Sequence, residues 1–363
     1  MGSDKMENAK LRIDLRAICK NATRVLKETD GGLIAVVKNN AYNFGLERAV
    51  ETFYKAGVRV FATTSLKECI KMRDLYEDIT IISLNPAKEF DLLRKYRIST
   101  AIANLDFVKN NLEDMKGISW QLEWAGSMRR SGCRSKEEML EILSLARDNN
   151  IDIEGVWTHF SWADEFDQDK TYEREREIWL DALAAAKRVH KFKFIHAQNS
   201  ASFARDGLLE GHSHVRLGIY LYGCLPYREC PKKIDHAISL SARVLSIIHL
   251  DPGQSIGYCS SFVAKEPTDL AVINMGYGDG LLRSRIKGHD LEINKRRYPL
   301  VSLMMSHSVA IIDEAVTLGD EVYFYGHDIP VHEYTFKGVA SNSEQISMLN
   351  HMSLDVDYIE IDG

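Results

Sequence analysis

The chain has 363 residues, 45% of them hydrophobic, enough for a large core and one to three domains. Its net charge is −6, with no basic block and no interleaving of basic with aromatic residues, which argues against nucleic acid and anionic membranes as partners. No apolar run is long enough to span a bilayer, and the six cysteines (Cys19, Cys69, Cys133, Cys224, Cys230, Cys259) contain no CxxC pair, so neither a metal centre nor a disulfide framework is expected.

No signal-peptide apolar region opens the chain, and reduced thiols fit a cytoplasmic protein, alone or as the cytoplasmic domain of a longer one. The opening MGSDKMENAK reads as a leader that includes added residues. Next come short apolar runs separated by longer helical patterns. The runs are LIAVVK (33–38), RVFATT (59–64), ITIIS (79–83), ISTAI (98–102), SWQLEW (119–124), IEGVWTH (153–159), FKFIHA (192–197) and HVRLGIY (214–220). Between the first two, Leu46, Val50 and Phe53 share a helical face that stops at Gly57, a plausible C′ glycine. After the sixth, DEFDQD suits a helix N-terminus, and Trp179, Leu183 and Ala186 then share a face. Eight strand–helix units in about 210 residues predict a (β/α)8 TIM-like barrel.

From about Asp235 the rhythm changes. The runs AISLSARVLSIIHL, DLAVINMGYG, YPLVSLMMSHSVAIID and EVYFYG are parted by DPGQ, KEPTD and KGHD, with no long amphipathic helix between them. This predicts a mostly antiparallel β domain. The expected division is a barrel over 1–235 and a β domain over 236–363, with the N-terminal strand a candidate to pair with the β domain.

Barrel enzymes build their sites at the C-terminal ends of the strands. Lys38 ends the first strand, Arg130 follows the fifth, His159 ends the sixth, QNSAS (198–202) follows the seventh, and Arg216 lies in the eighth. Singly each has an ordinary explanation: a solvated cap, a histidine satisfying a carbonyl, a surface arginine. Four or five of them on one rim predict a barrel enzyme with an anionic ligand.

These stretches carry a resemblance. AVVKNNAYNFG (35–45), THFSWADE (158–165), NSAS, VRLGIYLYG (215–223), GYCSSF (257–262) and MGYGDG (275–280), in that order, resemble motifs of the alanine racemase family of pyridoxal-phosphate enzymes over nearly the whole chain. The resemblance implies a barrel plus a β domain, a head-to-tail homodimer with sites shared between subunits, and pyridoxal 5′-phosphate as cofactor. It implies that Lys38 holds the cofactor as a Schiff base and is one catalytic base. Tyr258, supplied by the partner subunit, would be the other. Tyr42, Ser200 and the amides of Gly218 and Ile219 would bind the phosphate. Arg216 would face the pyridine nitrogen, His159 would lie against the ring and bond to Arg216, and Asn199 would stand near the cofactor. Arg130 would reach the cofactor's phenolic oxygen and the substrate carboxylate, which the Met305 amide would also meet. Tyr277 would line the entrance. The implied activity is interconversion of L- and D-alanine, supplying D-amino acid for bacterial peptidoglycan.

Three positions depart from the family pattern. Glu123, seven residues before Arg130, stands where many members carry a carbamylated lysine; a carboxylate there supplies the anion without modification. The alternative is a surface glutamate. Ser306, in VSLMMSHS (301–308), replaces an aspartate. ASNSEQ (340–345) lacks an expected tyrosine, whose place falls to Asn342 or Ser343. The last two changes predict serine activity beside alanine. The alternatives are a dedicated serine racemase similar to those of vancomycin resistance, a non-catalytic pyridoxal-phosphate-binding barrel, a basic-amino-acid decarboxylase, whose glycine-rich phosphate loop is lacking, and an aldolase without the cofactor.

Overall fold

The computed structural model describes residues 8–326 and 328–361, so the first seven residues of the leader lie outside it. The chain divides into two compact units. One contains Cys19–Leu221 with Glu229–Lys233. The other contains residues 8–18, Tyr222–Arg228 and 234–361.

The strand β1 (Lys10–Asp14) belongs to the second unit. The first unit holds β2 (Leu33–Val36), β3 (Val60–Thr63), β4 (Thr80–Ser83), β5 (Ile98–Ile102), β6 (Ser119–Glu123), β7 (Asp152–Trp157), β8 (Phe194–His196) and β9 (Val215–Leu217). All pair in parallel, in the order β8-β7-β6-β5-β4-β3-β2-β9. The two ends meet through a bridge between His196 and His214 and a bond from the Arg216 amide to the Gln198 carbonyl at 2.9 Å. This is the eight-stranded barrel that the rhythm of the sequence predicts. Every residue of β2 and of β5 is buried, as expected of parallel strands covered on both faces.

The helices between strands follow their sequence signals. Leu46–Lys55 buries Leu46, Val50 and Phe53. It ends with Gly57 at φ 104°, whose amide bonds to Tyr54, while the Val58 amide reaches back to Phe53. A residue with a Cβ would be strained at that φ. Thr171–Val189 buries Trp179, Leu183 and Ala186. Asp167, from the acidic stretch ahead of it, accepts from the Thr171 amide at 2.9 Å. At the other end of the barrel, buried Arg73 donates to the carbonyls of Tyr76, Glu77, Ile79, Tyr96 and Arg97, fastening two connections with one side chain.

In the second unit come β10 (Ile238–Leu250), β11 (Ser255–Ile256), β12 (Phe262–Val263), β13 (Thr268–Ile273), β14 (Asp290–Ile293), β15 (Arg296–Leu303), β16 (Ser308–Ile312), β17 (Glu321–Tyr325) and β18 (Asp355–Ile359). The ring β10-β13-β16-β15-β14-β17 closes on itself, because β10 pairs with both β17 and β13. β10 can serve both because its register shifts between Val244 and Ser246, a bulge that bends a long strand. β1 lies antiparallel to β10 and parallel to β18, the one parallel pairing here among the described residues. The sequence rhythm overlooks β14, β18 and two six-residue helices, Val331–Phe336 and Asn342–Ser347. Each is too short for its periodicity to stand out.

Candidate active site

The strand β2 runs into Lys38 and then into an unusual backbone. Asn39, Asn40, Ala41, Tyr42 and Asn43 all have φ between 52° and 71°, a left-handed turn of five residues without glycine. Such residues cost roughly 1–2 kcal/mol each, less for asparagine, which bonds locally. Specific bonds offset the cost. Asn40 Oδ1 accepts from the Leu46 amide at 2.9 Å, and the Asn40 amide donates to Glu68 Oε1 at 2.8 Å. Glu68 is held in turn by the Thr63 hydroxyl. The turn carries Tyr42 inward, where it is buried. The Lys38 amine stands 6.0 Å from the centre of the Tyr42 ring.

Tyr42 ends against Gly218. A Cβ at 218 would lie 2.2 Å from Tyr42 Oη, so only glycine admits the phenol there. Ser200 Oγ accepts from the Tyr220 amide at 3.3 Å, which brings the Asn199–Ser200 turn to the same place. The amides of Gly218 and Ile219 have no acceptor among the described residues. Two backbone donors, a hydroxyl and a phenol around a spot where a side chain would not fit form a cradle for a phosphate-sized anion.

Arg216, in β9, is buried among barrel strands. Its Nη1 bonds to His196 Nδ1 at 2.8 Å, and its Nη2 donates to the Thr158 carbonyl at 3.0 Å and to His159 Nδ1 at 3.1 Å. Its guanidinium stands 4.7 Å from the centre of the Trp157 ring. Asn199 Nδ2 donates to the Phe160 carbonyl at 2.7 Å and lies 3.4 Å from His159 Nε2, so the Asn199 side chain stands against the edge of the imidazole whose Nδ1 accepts from Arg216. Asn199 Oδ1 meanwhile caps the helix Ser200–Asp206 through the amides of Ala201 and Ser202.

Glu123, the last residue of β6, is buried, which is not the surface glutamate of the alternative reading. It accepts from Arg130 Nη2 at 3.3 Å and from the Ser131 hydroxyl. Arg130 itself is half exposed. The loop carrying them is pinned back on the strand: the Cys133 amide bonds to the Glu123 carbonyl at 2.7 Å and that of Gly132 to Ala103 at 2.8 Å. Gly132 sits at φ 91°, and a Cβ there would be 2.4 Å from the Glu123 carbonyl oxygen.

Three cations within one rim shape each other's titration. Burial first, then Arg130 and Arg216, hold the Lys38 amine below its ordinary value. Burial and the same cations press His159 down to about 3, so it is neutral. Burial brings Arg216 down to about 10, which still leaves it charged at neutral pH. Burial pushes Glu123 up, against the pull of the Ser131 hydroxyl and the two arginines. A lysine kept from its full basicity beside fixed guanidinium donors can serve as a nucleophile and as a proton carrier.

In the second unit Tyr258 is 64% exposed and is followed by Cys259 and Ser260, both left-handed. Tyr277 and Met305 come together: the amides of Tyr277 and Gly278 bond to the carbonyls of Met304 and Met305 at 3.0 and 2.8 Å. Met305 and Ser306 are exposed. Asn342 is buried, with Nδ2 on the Leu225 carbonyl at 3.0 Å and Oδ1 accepting from Thr335 at 2.8 Å. Ser343 is half-buried, and its hydroxyl meets that of Ser341 at 3.1 Å. Of the two residues at the place of the expected tyrosine, Ser343 keeps the less committed side chain.

Sequence reasoning passed over His196, Thr158 and Ser131, which hold Arg216 and Glu123. FKFIHA did contain the signal for the first, a histidine ending an otherwise apolar barrel strand.

Models of the alanine racemase N-terminal and C-terminal domains match residues 13–226 and 237–355. The chain is 44% identical over 338 residues to alanine racemase 2 of Staphylococcus aureus (strain COL), covering 91% of this chain and 93% of that protein. A crystal structure of alanine racemase from Bacillus anthracis with bound L-Ala-P superposes with a TM-score of 0.83 at 26% identity, covering 99% of this chain and 96% of that one. The alanine racemase of Bartonella henselae, solved with covalently bound pyridoxal phosphate, superposes at 0.87 with 22% identity, covering 97% of this chain and 99% of that one. On the two domain matches and the identity along most of its length, this chain belongs to the alanine racemase family.

Proposed function

We propose that the protein is an amino-acid racemase that interconverts L- and D-alanine with pyridoxal 5′-phosphate. The observation that carries this reading is the strand-end Lys38 with its amine in the field of Arg130 and Arg216, beside the cradle of Tyr42, Ser200, Gly218 and Ile219. When bound, the cofactor withdraws electrons from the substrate's α-carbon. The cradle donors suit its phosphate. Arg216 suits its ring nitrogen: it is a donor that keeps its proton, so it neither protonates that nitrogen nor lets water do so. Neutral His159 steadies Arg216.

Racemisation needs a proton carrier on each face of the α-carbon. Lys38 serves one face, its lowered basicity making the free amine accessible nearer neutral pH. Tyr258 serves the other. It is exposed on its own chain, and we assign it to the site of a second copy in a homodimer. Arg130, held by Glu123, receives the substrate carboxylate, and we assign the Met305 amide and Tyr277, with Tyr258, to what the second copy brings to it. Glu123 supplies the anion that Arg130 needs, so activity is independent of dissolved carbon dioxide. We place the enzyme in a bacterial cytoplasm, where D-alanine enters peptidoglycan.

Serine is the second substrate we assign. Ser306 and the less committed Ser343 leave hydroxyls where bulkier or charged groups are usual in the family. A site that bonds a hydroxyl can favour serine, whereas an apolar one separates methyl from hydroxymethyl by about 10²-fold at best. The first experiment is an absorption spectrum, borohydride reduction and peptide mapping, then racemisation assays on L-alanine and L-serine. A visible cofactor band fixed to Lys38 with alanine turnover supports the reading. Label on another lysine, or no turnover of either amino acid by protein loaded with cofactor, overturns it.

A further inference from the structure

The bonds that hold Arg216 continue past His196 through the barrel interior. His196 is fully buried, and its ring lies parallel to that of Trp157, 5.9 Å between centres and 6° between planes. Its Nδ1 meets Arg216 Nη1, and arginine is a donor only. Nδ1 therefore accepts, and the proton of the neutral ring sits on Nε2. That nitrogen faces Gln121 Oε1 at 3.4 Å.

Gln121, in β6, is fully buried, and its amide has a defined orientation. Gln121 Nε2 donates to Ser99 Oγ at 3.0 Å and to Glu154 Oε1 at 3.1 Å, employing both N–H groups. The oxygen, an acceptor only, is left to His196. Glu154 Oε2 in turn lies 3.9 Å from Lys193 Nζ. Gly155 makes the space: a Cβ there would lie 1.9 Å from Gln121 Oε1. One polar chain thus crosses the barrel, Glu154 and Ser99 to Gln121 to His196 to Arg216. In a buried chain of this kind each member's direction decides that of the next.

We propose that Gln121 is a positioning residue for racemisation: by accepting from His196 Nε2–H it selects the tautomer whose Nδ1 accepts from Arg216, and so aims the guanidinium. With the other tautomer a donor would face a donor, and Arg216 would turn away from His196. The proposal rests on the racemase reading for its catalytic consequence, but the tautomer itself is measurable without turnover. Hydrogen-bond partners that fix the tautomer of metal-binding histidines change affinity or activity by roughly 10–100-fold, which sets the scale here.

The test is 15N NMR of the holoenzyme labelled at histidine nitrogens, with His196 assigned by its loss in His196→Gln, alongside kinetics. The expected parent spectrum has Nε2 protonated and Nδ1 not, without titration between pH 6 and 9. Gln121→Met keeps the volume and removes the acceptor. It should mix the tautomers and lower kcat about tenfold, with KM for alanine changed by less than about twofold. Gln121→Glu restores an oxygen acceptor and, sharing one proton with Glu154 where the amide now donates, should recover both tautomer and kcat. Should Gln121→Met fail to fold, Ser99→Ala removes one acceptor from the Gln121 amide and should produce a smaller change in the same direction. A parent ring protonated on Nδ1 overturns the proposal, as does a variant that loses the acceptor yet keeps tautomer and kcat. If the racemase reading alone is wrong, the tautomer results stand and no turnover accompanies them.

Discussion

The surroundings of Arg216 and of Tyr258 differ in almost every physical respect. Arg216 is buried on a strand, its two Nη atoms are taken by His196, Thr158 and His159, and its neighbours' titration is bent by its charge. Tyr258 is 64% exposed, on a short irregular segment with two left-handed residues after it. The first arrangement is complete within one chain: its donors and acceptors find each other, so its geometry is preorganised before any ligand arrives. The second is a phenol presented rather than enclosed. The contrast separates residues whose role is determined by their own chain from residues whose role waits on an encounter.

The sharpest way to break this contrast is at its two ends. Lys38→Ala should abolish racemisation, by 10²-fold at the least and on the order of 10⁴-fold at most for a lost general base, and borohydride should no longer fix cofactor to the chain. Tyr258→Phe should lose activity by a similar factor while still binding cofactor. Mixing the two inactive proteins under conditions of proven subunit exchange should restore part of the activity. Absence of recovery would show that each chain completes its own site, and Tyr258 would then lose the assignment made above.

A smaller effect is expected at the cradle. Gly218→Ala drives a Cβ into Tyr42 Oη. Overpacking of this sort costs about 1–3 kcal/mol, which, felt at the cradle, corresponds to roughly 5- to 150-fold weaker cofactor binding. Equilibrium dialysis against pyridoxal 5′-phosphate reads it directly. An unchanged dissociation constant would mean that the phosphate is held elsewhere.

Glu123→Gln sharpens the contrast by changing charge without shape. It removes the anion that balances Arg130 and Arg216, so the cationic field at Lys38 grows and its amine becomes still less basic. Because the base must be neutral, the acid limb of the pH profile should move to lower pH. KM for alanine should rise roughly fivefold, about 1 kcal/mol for an ion pair with one half-exposed partner. Movement of the limb to higher pH would contradict the electrostatic account. The smallest effect should be on selectivity: Ser343→Tyr should lower the serine-to-alanine ratio of kcat/KM by a few-fold. A ratio that does not move would assign the choice of substrate to other residues.

Much of this protein is legible in the sequence because its signals are local. The alternation of short apolar runs with longer amphipathic stretches is the barrel, and Gly57 and Asp167 end and begin helices where the chain says so. The rim residues could be named for the same reason: a strand end is a position in a period-two pattern, and the eight strand ends of such a barrel lie together. β14, β18 and the short helices escaped because four to six residues carry too little pattern to distinguish them from turns.

What tertiary structure decided is which of those residues touch and in what state. Glu123 could have faced solvent; burial beside Arg130 and Ser131 makes it the arginine's counter-ion. Asn342 and Ser343 were equivalent in sequence, and only packing bonded the first at both ends and left the second half free. The left-handed turn from Asn39 to Asn43 has no glycine to announce it and exists because Glu68 and Leu46, distant or downstream, hold it. His196 and Gln121 came from separate apolar strands and met only when the barrel closed. Periodicity is written into neighbours along the chain, whereas burial, charge state and hydrogen-bond partners depend on groups that folding brings from elsewhere.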